Sequence, residues 1–259
     1  MATATQYDVD QLMQEWRING FVVFEDLIPL DKIERIREAW IPYRDRMIRE
    51  RDPNLEILRY NVRVPFERPF LDEEIFEHPA LVEFLARALG PDYVWTHFDS
   101  NNPFPGVDYQ DWHRDGQTAL FPGVMTPAFY VGVKFPLVDT FEENGSFEII
   151  PGTQYVTDPD LLHNLNSVFG KGADKIGRYY PIRLNLKKGS LWVQDGRAFH
   201  RGTPNRSDHV RDELCMALSS AWLHSEWSHQ NTSEKIPRDV WNDLSDHARQ
   251  VLRWQRVED

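Results

Sequence analysis

Between Tyr93 and about Leu223 the apolar runs of this chain are short, rich in β-branched and aromatic residues, and divided by proline, glycine, asparagine and aspartate. Runs of this kind read as strands joined by turns. The clearest are Phe129 to Val138, Ser146 to Ile150, Tyr179 to Leu186, Ser190 to Gln194 and Leu214 to Trp222. The spacing predicts an antiparallel sandwich of the double-sheet jelly-roll kind, whose mouth lets side chains from different strands converge. Thr157 to Gly177, with Gly170, Gly172 and Gly177, lacks periodicity and reads as a loop or lid.

Helices flank this core. Val9, Leu12, Met13 and Trp16 recur at helical spacing, and Asn19-Gly20 supplies a left-handed stop. Phe21 to Phe24 follows as a compact strand. Asp31 with Glu34 three residues on suggests a capping box for a helix that carries Ile33, Ile36 and Trp40 and stops near Pro42. Ile57 to Pro65 looks extended, and Pro79 opens a helix that closes on Gly90-Pro91. A polar run, Ser225 to Glu234, leads to a last helix from about Arg238 to Trp254. The expectation is a single domain over 1–259, mainly β with flanking helices: a helical part over 1–92, a jelly-roll core over 93–223 and a C-terminal helix within 224–259.

Charge and cysteine content narrow the function. With 29 lysines and arginines against 41 aspartates and glutamates, the net charge of −12 does not draw nucleic acid or anionic lipid over long distances. No apolar run approaches the roughly 18 residues of a membrane span, and Met1 to Asp10 lacks the basic start of a secretory signal. Cys215 is the only cysteine, which excludes an internal disulfide and a cysteine zinc site. A soluble, cytoplasmic protein acting on a small molecule is expected.

Two segments carry candidate chemistry. In Trp112-His113-Arg114-Asp115-Gly116 a histidine and a carboxylate stand two residues apart, so that on a strand both point to the same side. Lys188 to His200 reads as turn, strand, tight turn, then a histidine at the strand's end, where a jelly roll opens. Two imidazoles and one carboxylate on one face of a cation form the facial triad of non-haem Fe(II) chemistry, with three positions left open. Arg211, just inside the next strand, can aim its planar fork inward and grip a carboxylate through two bonds. Read alone, His113 and Asp115 also fit a surface strand pair, and Arg211 a solvated residue pairing with Asp208 or Asp212.

Taken together, the motifs resemble those of the phytanoyl-CoA dioxygenase family of Fe(II)/2-oxoglutarate oxygenases. Four pieces match in order: Gly20 to Val23, Trp112 to Gly116, Asn144-Gly145-Ser146-Phe147-Glu148-Ile149-Ile150-Pro151-Gly152-Thr153, and Asp195 to His200 followed by Asn205 and Arg211. The resemblance implies a double-stranded β-helix of cupin-like, jelly-roll type. It assigns His113, Asp115 and His200 to Fe(2+), and Arg211 to the distal carboxylate of 2-oxoglutarate, with O2 as the second co-substrate. The implied reaction is hydroxylation of an unactivated C–H bond, with release of succinate and CO2. Relatives that halogenate carry a small residue where this chain has Asp115, so a carboxylate there argues for hydroxylation. Desaturation, cyclisation and C–X cleavage share the scaffold, and a non-catalytic jelly-roll binder is the rival from another class.

Two positions depart from the family pattern. Gln154 stands where a histidine commonly ends the Pro-Gly motif, and Lys134 interrupts an apolar strand. If that strand alternates, Tyr130, Gly132 and Lys134 share the face opposite Val131, Val133 and Phe135. Burying an ammonium without a partner is costly, so Lys134 is expected to meet an anion in the pocket, a 2-oxoglutarate carboxylate or an acidic group of the substrate. Arg114, Gln117 and Arg201 flank the metal motif and are expected to line the substrate entrance. Arg59, Arg63 and Arg68 form a candidate basic cluster, while His97, His209 and His224 read as structural. A small polar metabolite is the expected substrate.

Overall fold

The structure is a computed structural model that describes residues 7–115, 124, 126–157, 179–223 and 235–259. The expected lid over Thr157 to Gly177 falls almost wholly outside the described residues, as do the run Ser225 to Glu234, Gln117 and His224.

Nine strands are described: β1 (Phe21–Phe24), β2 (Arg59–Tyr60), β3 (Val94–Pro103), β4 (Tyr130–Pro136), β5 (Phe147–Ile149), β6 (Ile182–Leu184), β7 (Leu191–Asp195), β8 (His200–Arg201) and β9 (Glu213–Ser219). They form two antiparallel sheets, a major one in the order β1-β7-β4-β9-β3-β2 and a minor one in the order β6-β5-β8. This is the mainly β, jelly-roll architecture that the spacing of the apolar runs predicts. Each clear run forms a strand, trimmed by a few residues where turn-formers begin. β3 is the longest strand, yet no apolar run marks it: Thr96, His97, Asp99, Ser100, Asn101 and Asn102 make it look like a loop.

Alternation assigns the two faces of the major sheet. Val131, Val133 and Phe135 of β4, Leu191 and Val193 of β7, and Leu214, Met216 and Leu218 of β9 enter one large core with the helices. Those helices are α1 (Val9–Asn19), α2 (Leu30–Arg51), α3 (Glu73–Phe76), α4 (Pro79–Leu89), α5 (Arg238–Asp243) and α6 (Asp246–Val251). Met13 and Trp16 from α1, Ile33 and Trp40 from α2, and Phe84 and Leu85 from α4 fill it. The opposite face looks toward the minor sheet, where Phe147, Ile149, Leu184 and Trp192 pack together.

α1 and α4 end as expected, α1 on Gly20 at φ 80° and α4 on Gly90, with Pro79 in the first turn of α4. Two other helices differ. α2 starts at Leu30 without a side-chain cap, Asp31 instead pairing with Arg35 at 2.7 Å, and it runs through Pro42 to Arg51. An interior proline costs about 3 kcal/mol. Beyond it, Arg44 and Ile48 are buried, and Arg44 makes an ion pair with Asp212 that anchors the second half of the helix. The C-terminal helix is broken at Leu244-Ser245, because the Ser245 hydroxyl accepts a hydrogen bond from the Ala248 amide and starts a new helix. No helix among the described residues is long and apolar enough to cross a membrane.

Candidate metal centre

β8 carries His200, and the segment after β3 returns to lie beside it, so that His113 and His200 exchange both backbone hydrogen bonds, at 3.1 and 3.0 Å. Residues paired in this way project their side chains from one face. The two imidazoles accordingly stand 4.3 Å apart between ring centroids, and Asp115 joins them from two residues further on. One ligand atom from each of His113, Asp115 and His200 lies within 4.8 Å of the others.

Backbone carbonyls orient both rings. His113 Nδ1 is 2.8 Å from the Asp111 oxygen and His200 Nδ1 is 3.0 Å from that of Ala198, each carbonyl belonging to the residue two before. For His113, a proton on Nδ1 directs the Nε2 lone pair toward a cation. The Nε2 atoms face Asp115 Oδ1 at 3.8 Å from His113 and 3.4 Å from His200. Phe147 stacks on His200 with ring centroids 5.2 Å apart. Burial and the neighbouring His200 push His113 down to about 4. Burial acts to raise the Asp115 carboxyl, but His200, Lys134 and His113 outweigh it and hold the group well below the usual carboxylate range. A neutral His113 imidazole beside an ionised carboxylate suits metal binding, which needs deprotonated ligands.

Arg211 is buried just before β9, and its Nε and both Nη atoms lack hydrogen-bond partners. Glu213 Oε2 lies 3.2 Å from Nη1 without hydrogen-bond geometry, while Oε1 accepts from Trp192 Nε1 at 3.0 Å. A second guanidinium, Arg59, has a buried Nη1 that is likewise without a partner, and its Nη2 donates to the carbonyls of Asp108 and Thr203. Burial, and then the charge of Arg211, push Arg59 down to about 10. Two cations with buried, uncommitted donor atoms fit a carboxylate, which suits a dicarboxylate such as 2-oxoglutarate beside a two-histidine, one-carboxylate metal site. Gly202 makes room for this arrangement, since a Cβ there would sit 2.2 Å from Arg59 Nη1. Sequence reading grouped Arg59 with Arg63 and Arg68; the structure separates them, Arg63 pairing with Asp99 at 2.9 Å and Arg68 with Glu73 at 2.7 Å.

Lys134 is buried and faces the site. Its Nζ donates to Gln194 Oε1 at 2.5 Å, lies over the rings of Phe147 and Trp192, and is 3.9 Å from Asp115 Oδ2. The Gln194 amide nitrogen in turn lies 2.6 Å from His200 Nδ1. Arg114 and Arg201 point away from the triad of His113, Asp115 and His200. Arg114 alternates away from His113 and Asp115 and donates to the carbonyls of Thr153 and Val156 at 2.8 and 2.7 Å. Arg201 alternates away from His200, pairs with Glu148 at 2.5 Å and lies over the rings of Tyr109 and Trp112. Gln154 ties the end of α1 to the core by donating to the Arg17 carbonyl at 2.9 Å.

A jelly-roll core whose mouth gathers two imidazoles and a carboxylate, with uncommitted guanidinium donors alongside, is the architecture of non-haem metal-dependent oxygenases. The chain belongs to the phytanoyl-CoA dioxygenase (PhyH) family, whose sequence profile matches residues 16–212. That family is in general dependent on Fe(II) and 2-oxoglutarate. The dioxygenase trt7 of Aspergillus terreus is 25% identical over 191 residues, 71% of this chain and 61% of trt7, so the match spans less than two thirds of that relative. The dioxygenase olcK of Penicillium canescens is 22% identical over 267 residues, 98% of this chain and 82% of olcK. In fold the chain is similar to AviO1 from Streptomyces viridochromogenes, at TM-score 0.61 and 18% identity over 86% of this chain and 99% of AviO1. It is also similar to the non-heme alpha ketoglutarate dependent epimerase SnoN from nogalamycin biosynthesis, at TM-score 0.56 and 14% identity over 82% of this chain and 81% of SnoN.

Proposed function

We propose that the chain is an Fe(II)/2-oxoglutarate-dependent dioxygenase that hydroxylates an unactivated C–H bond of a small polar metabolite. The observation that carries this reading is the backbone exchange between His113 and His200, which gathers the triad within 4.8 Å while Arg211 stays buried with three uncommitted nitrogens. When bound, iron, 2-oxoglutarate and O2 supply the oxidative decarboxylation to succinate and CO2 that is coupled to oxidation of the C–H bond.

The protein's part is to hold and orient. His113 and His200 offer Nε2, and Asp115 offers Oδ1, from one side of the cation. Lys134 faces the other carboxylate oxygen, Oδ2, and restrains Asp115 so that a single oxygen points at the imidazoles. Arg211 and the free Nη1 of Arg59 receive the distal carboxylate, and Lys134 has donor capacity left for an anion in the same chamber. The rings of Phe147 and Trp192 exclude water from this end.

Anaerobic addition of Fe(II) and then 2-oxoglutarate should produce the weak visible charge-transfer band of a chelated keto acid, and a metabolite panel should give substrate-dependent succinate. A protein that binds Fe(II) but shows no band with 2-oxoglutarate would be a jelly-roll binder, and the oxygenase reading would fall. Desaturation, cyclisation and C–X cleavage use the same ligand set, and product analysis separates them from hydroxylation.

A further inference from the structure

The face of the major sheet that looks toward the metal has two ends, and the strand registers identify them. One transverse row runs Trp192, Lys134, Cys215, Asp99 across β7, β4, β9 and β3; the next runs Gln194, Gly132, Ala217, His97. Arg211 and Glu213 lie toward the first end of β9. His97 stands opposite Ala217, four residues further along, or roughly 13 Å at a strand's rise. The guanidinium proposed for 2-oxoglutarate and the imidazole of His97 therefore occupy opposite ends of one chamber. Gly132 and Ala217 lie between Gln194, which touches His200, and His97, and the Lys134 side chain covers Gly132.

The β3 side of this face, with His97 and Asp99, is polar and titratable, and Tyr130 of β4 joins it. His97 and Tyr130 are 5% and 8% exposed, and their rings stack with centroids 6.3 Å apart. Asp99 accepts from Arg63 Nη1 at 2.9 Å and faces His97 Nε2 at 3.8 Å. Burial pushes Asp99 up to about 6 and Arg63 offsets this only in part; the Asp99 side chain is 21% exposed. Burial and Arg63 push His97 down to about 3, which keeps its ring neutral. Burial raises Tyr130 well above its ordinary value, and the charge of Asp115 adds to this. The formal charge of this end is zero, with Arg63 balanced by Asp99. Beside it Phe129, Tyr130 and Ala217 pack with Leu223, and Trp222, 60% exposed, meets Phe129 edge-on at 5.9 Å.

We propose that His97, Asp99 and Tyr130 are the specificity-determining contacts for the primary substrate, and that they receive an uncharged oxygen function, a hydroxyl or ketone, carried on an apolar skeleton. This rests on the oxygenase reading and replaces its small polar metabolite with a mainly apolar substrate. A hydroxyl can donate to Asp99 beside the bond from Arg63. With Arg63 and Asp99 cancelling, neither an anion nor an ammonium gains net attraction from this pair, and each is desolvated at a cost. The apolar rim of Phe129, Trp222 and Leu223 gives the skeleton its surface.

The test has two readouts. First, the anaerobic Fe(II)/2-oxoglutarate band is titrated in the wild type, in Asp99→Asn and in His97→Phe; the 2-oxoglutarate dissociation constant should agree within twofold in all three. Second, succinate release above the substrate-free background is measured with hydroxylated and ketonic polycyclic compounds and with matched carboxylic acids, phosphate esters and amines. Uncharged compounds should stimulate, and both variants should raise the apparent KM for a responding compound at least tenfold. Stimulation confined to charged compounds, no stimulation by any uncharged one, or an unchanged KM in the variants overturns the proposal. A band lost in the variants alone also overturns it, since the row would then serve the cofactor or the fold. A band missing from the wild type defeats the oxygenase reading instead.

Discussion

Replacing Arg211 by methionine tests the co-substrate site through a number that the structure supplies. In the ligand-free protein the three guanidinium nitrogens have no hydrogen-bond partners, so their removal leaves only Glu213 Oε2 without its cation. With 2-oxoglutarate bound, Arg211 offers two parallel charge-assisted bonds, each worth about 1.5–3 kcal/mol. Arg59 Nη1 is retained, so the net loss is about 3 kcal/mol, or roughly 100-fold in the dissociation constant at 1.4 kcal/mol per decade. Titration of the charge-transfer band under anaerobic Fe(II) reads this directly. A thermal melt supplies the control. At a 2-oxoglutarate concentration 100 times the wild-type dissociation constant, ligand stabilises the protein by about 2.7 kcal/mol, roughly 5–10 °C for a chain of this size. In Arg211→Met the same concentration should add only about 1 °C, while the ligand-free melting temperature moves by a few degrees at most. A variant that binds 2-oxoglutarate within threefold of wild type would refute the assignment. One that loses most of its ligand-free stability would show that Arg211 serves the fold.

Three further substitutions probe the neighbours. Lys134→Met should weaken Fe(II) binding three- to tenfold without abolishing it, measured by competition with a chelator, because Asp115 loses the cation at Oδ2 but keeps both imidazoles at Oδ1. Gly202→Ala should raise the 2-oxoglutarate dissociation constant several-fold, since its Cβ displaces Arg59 Nη1; an unchanged titration would remove Arg59 from the clamp. His97, held to about 3 when folded against an ordinary 6.5, binds its proton more readily when unfolded, so its contribution to stability is present above pH 6.5 and is lost as pH falls toward 3. Asp99, raised to about 6, acts with the opposite sign and recovers stability as pH falls from 6 toward 3.8. Denaturation of His97→Phe between pH 4 and 6 should therefore show a slope of stability on pH lower than wild type by up to about 1.4 kcal/mol per pH unit.

The apolar pattern revealed what faces the core and little of what faces the site. β4, β7 and β9 were legible because half of their residues enter the helix-backed core. β3 was not, because its other face carries His97 and Asp99, residues that suit a chamber and break the period on which strand recognition relies. His97 reads as structural in the sequence for the same reason. The pairing of His113 with Asp115 was legible because its spacing survives in one dimension. Arg59, more than fifty residues before His113, has no local signal, and only the proximity of Arg211 singles it out. The full length of α2 was hidden by Pro42, a local penalty that distant contacts override.

Those distant contacts follow the same alternation that builds the site. His113 and Asp115 point inward, and Arg114 between them holds the carbonyls of Thr153 and Val156. His200 points inward, and Arg201 beside it holds Glu148. Arg211 and Glu213 point inward, and Asp212 between them takes Arg44 and Trp40 of α2. In each case a functional side chain neighbours a residue that fastens the same backbone to a different layer. This explains why a helix tolerates an interior proline: α2 must reach Asp212 to fix the start of β9, where Arg211 leaves the sheet. The same period sends Arg114 and Arg201, the immediate neighbours of His113, Asp115 and His200, to the opposite face. Residues that share the face two or four positions away, or across the register, are the better candidates, and that rule leads from His200 through Gln194, Gly132 and Ala217 to His97.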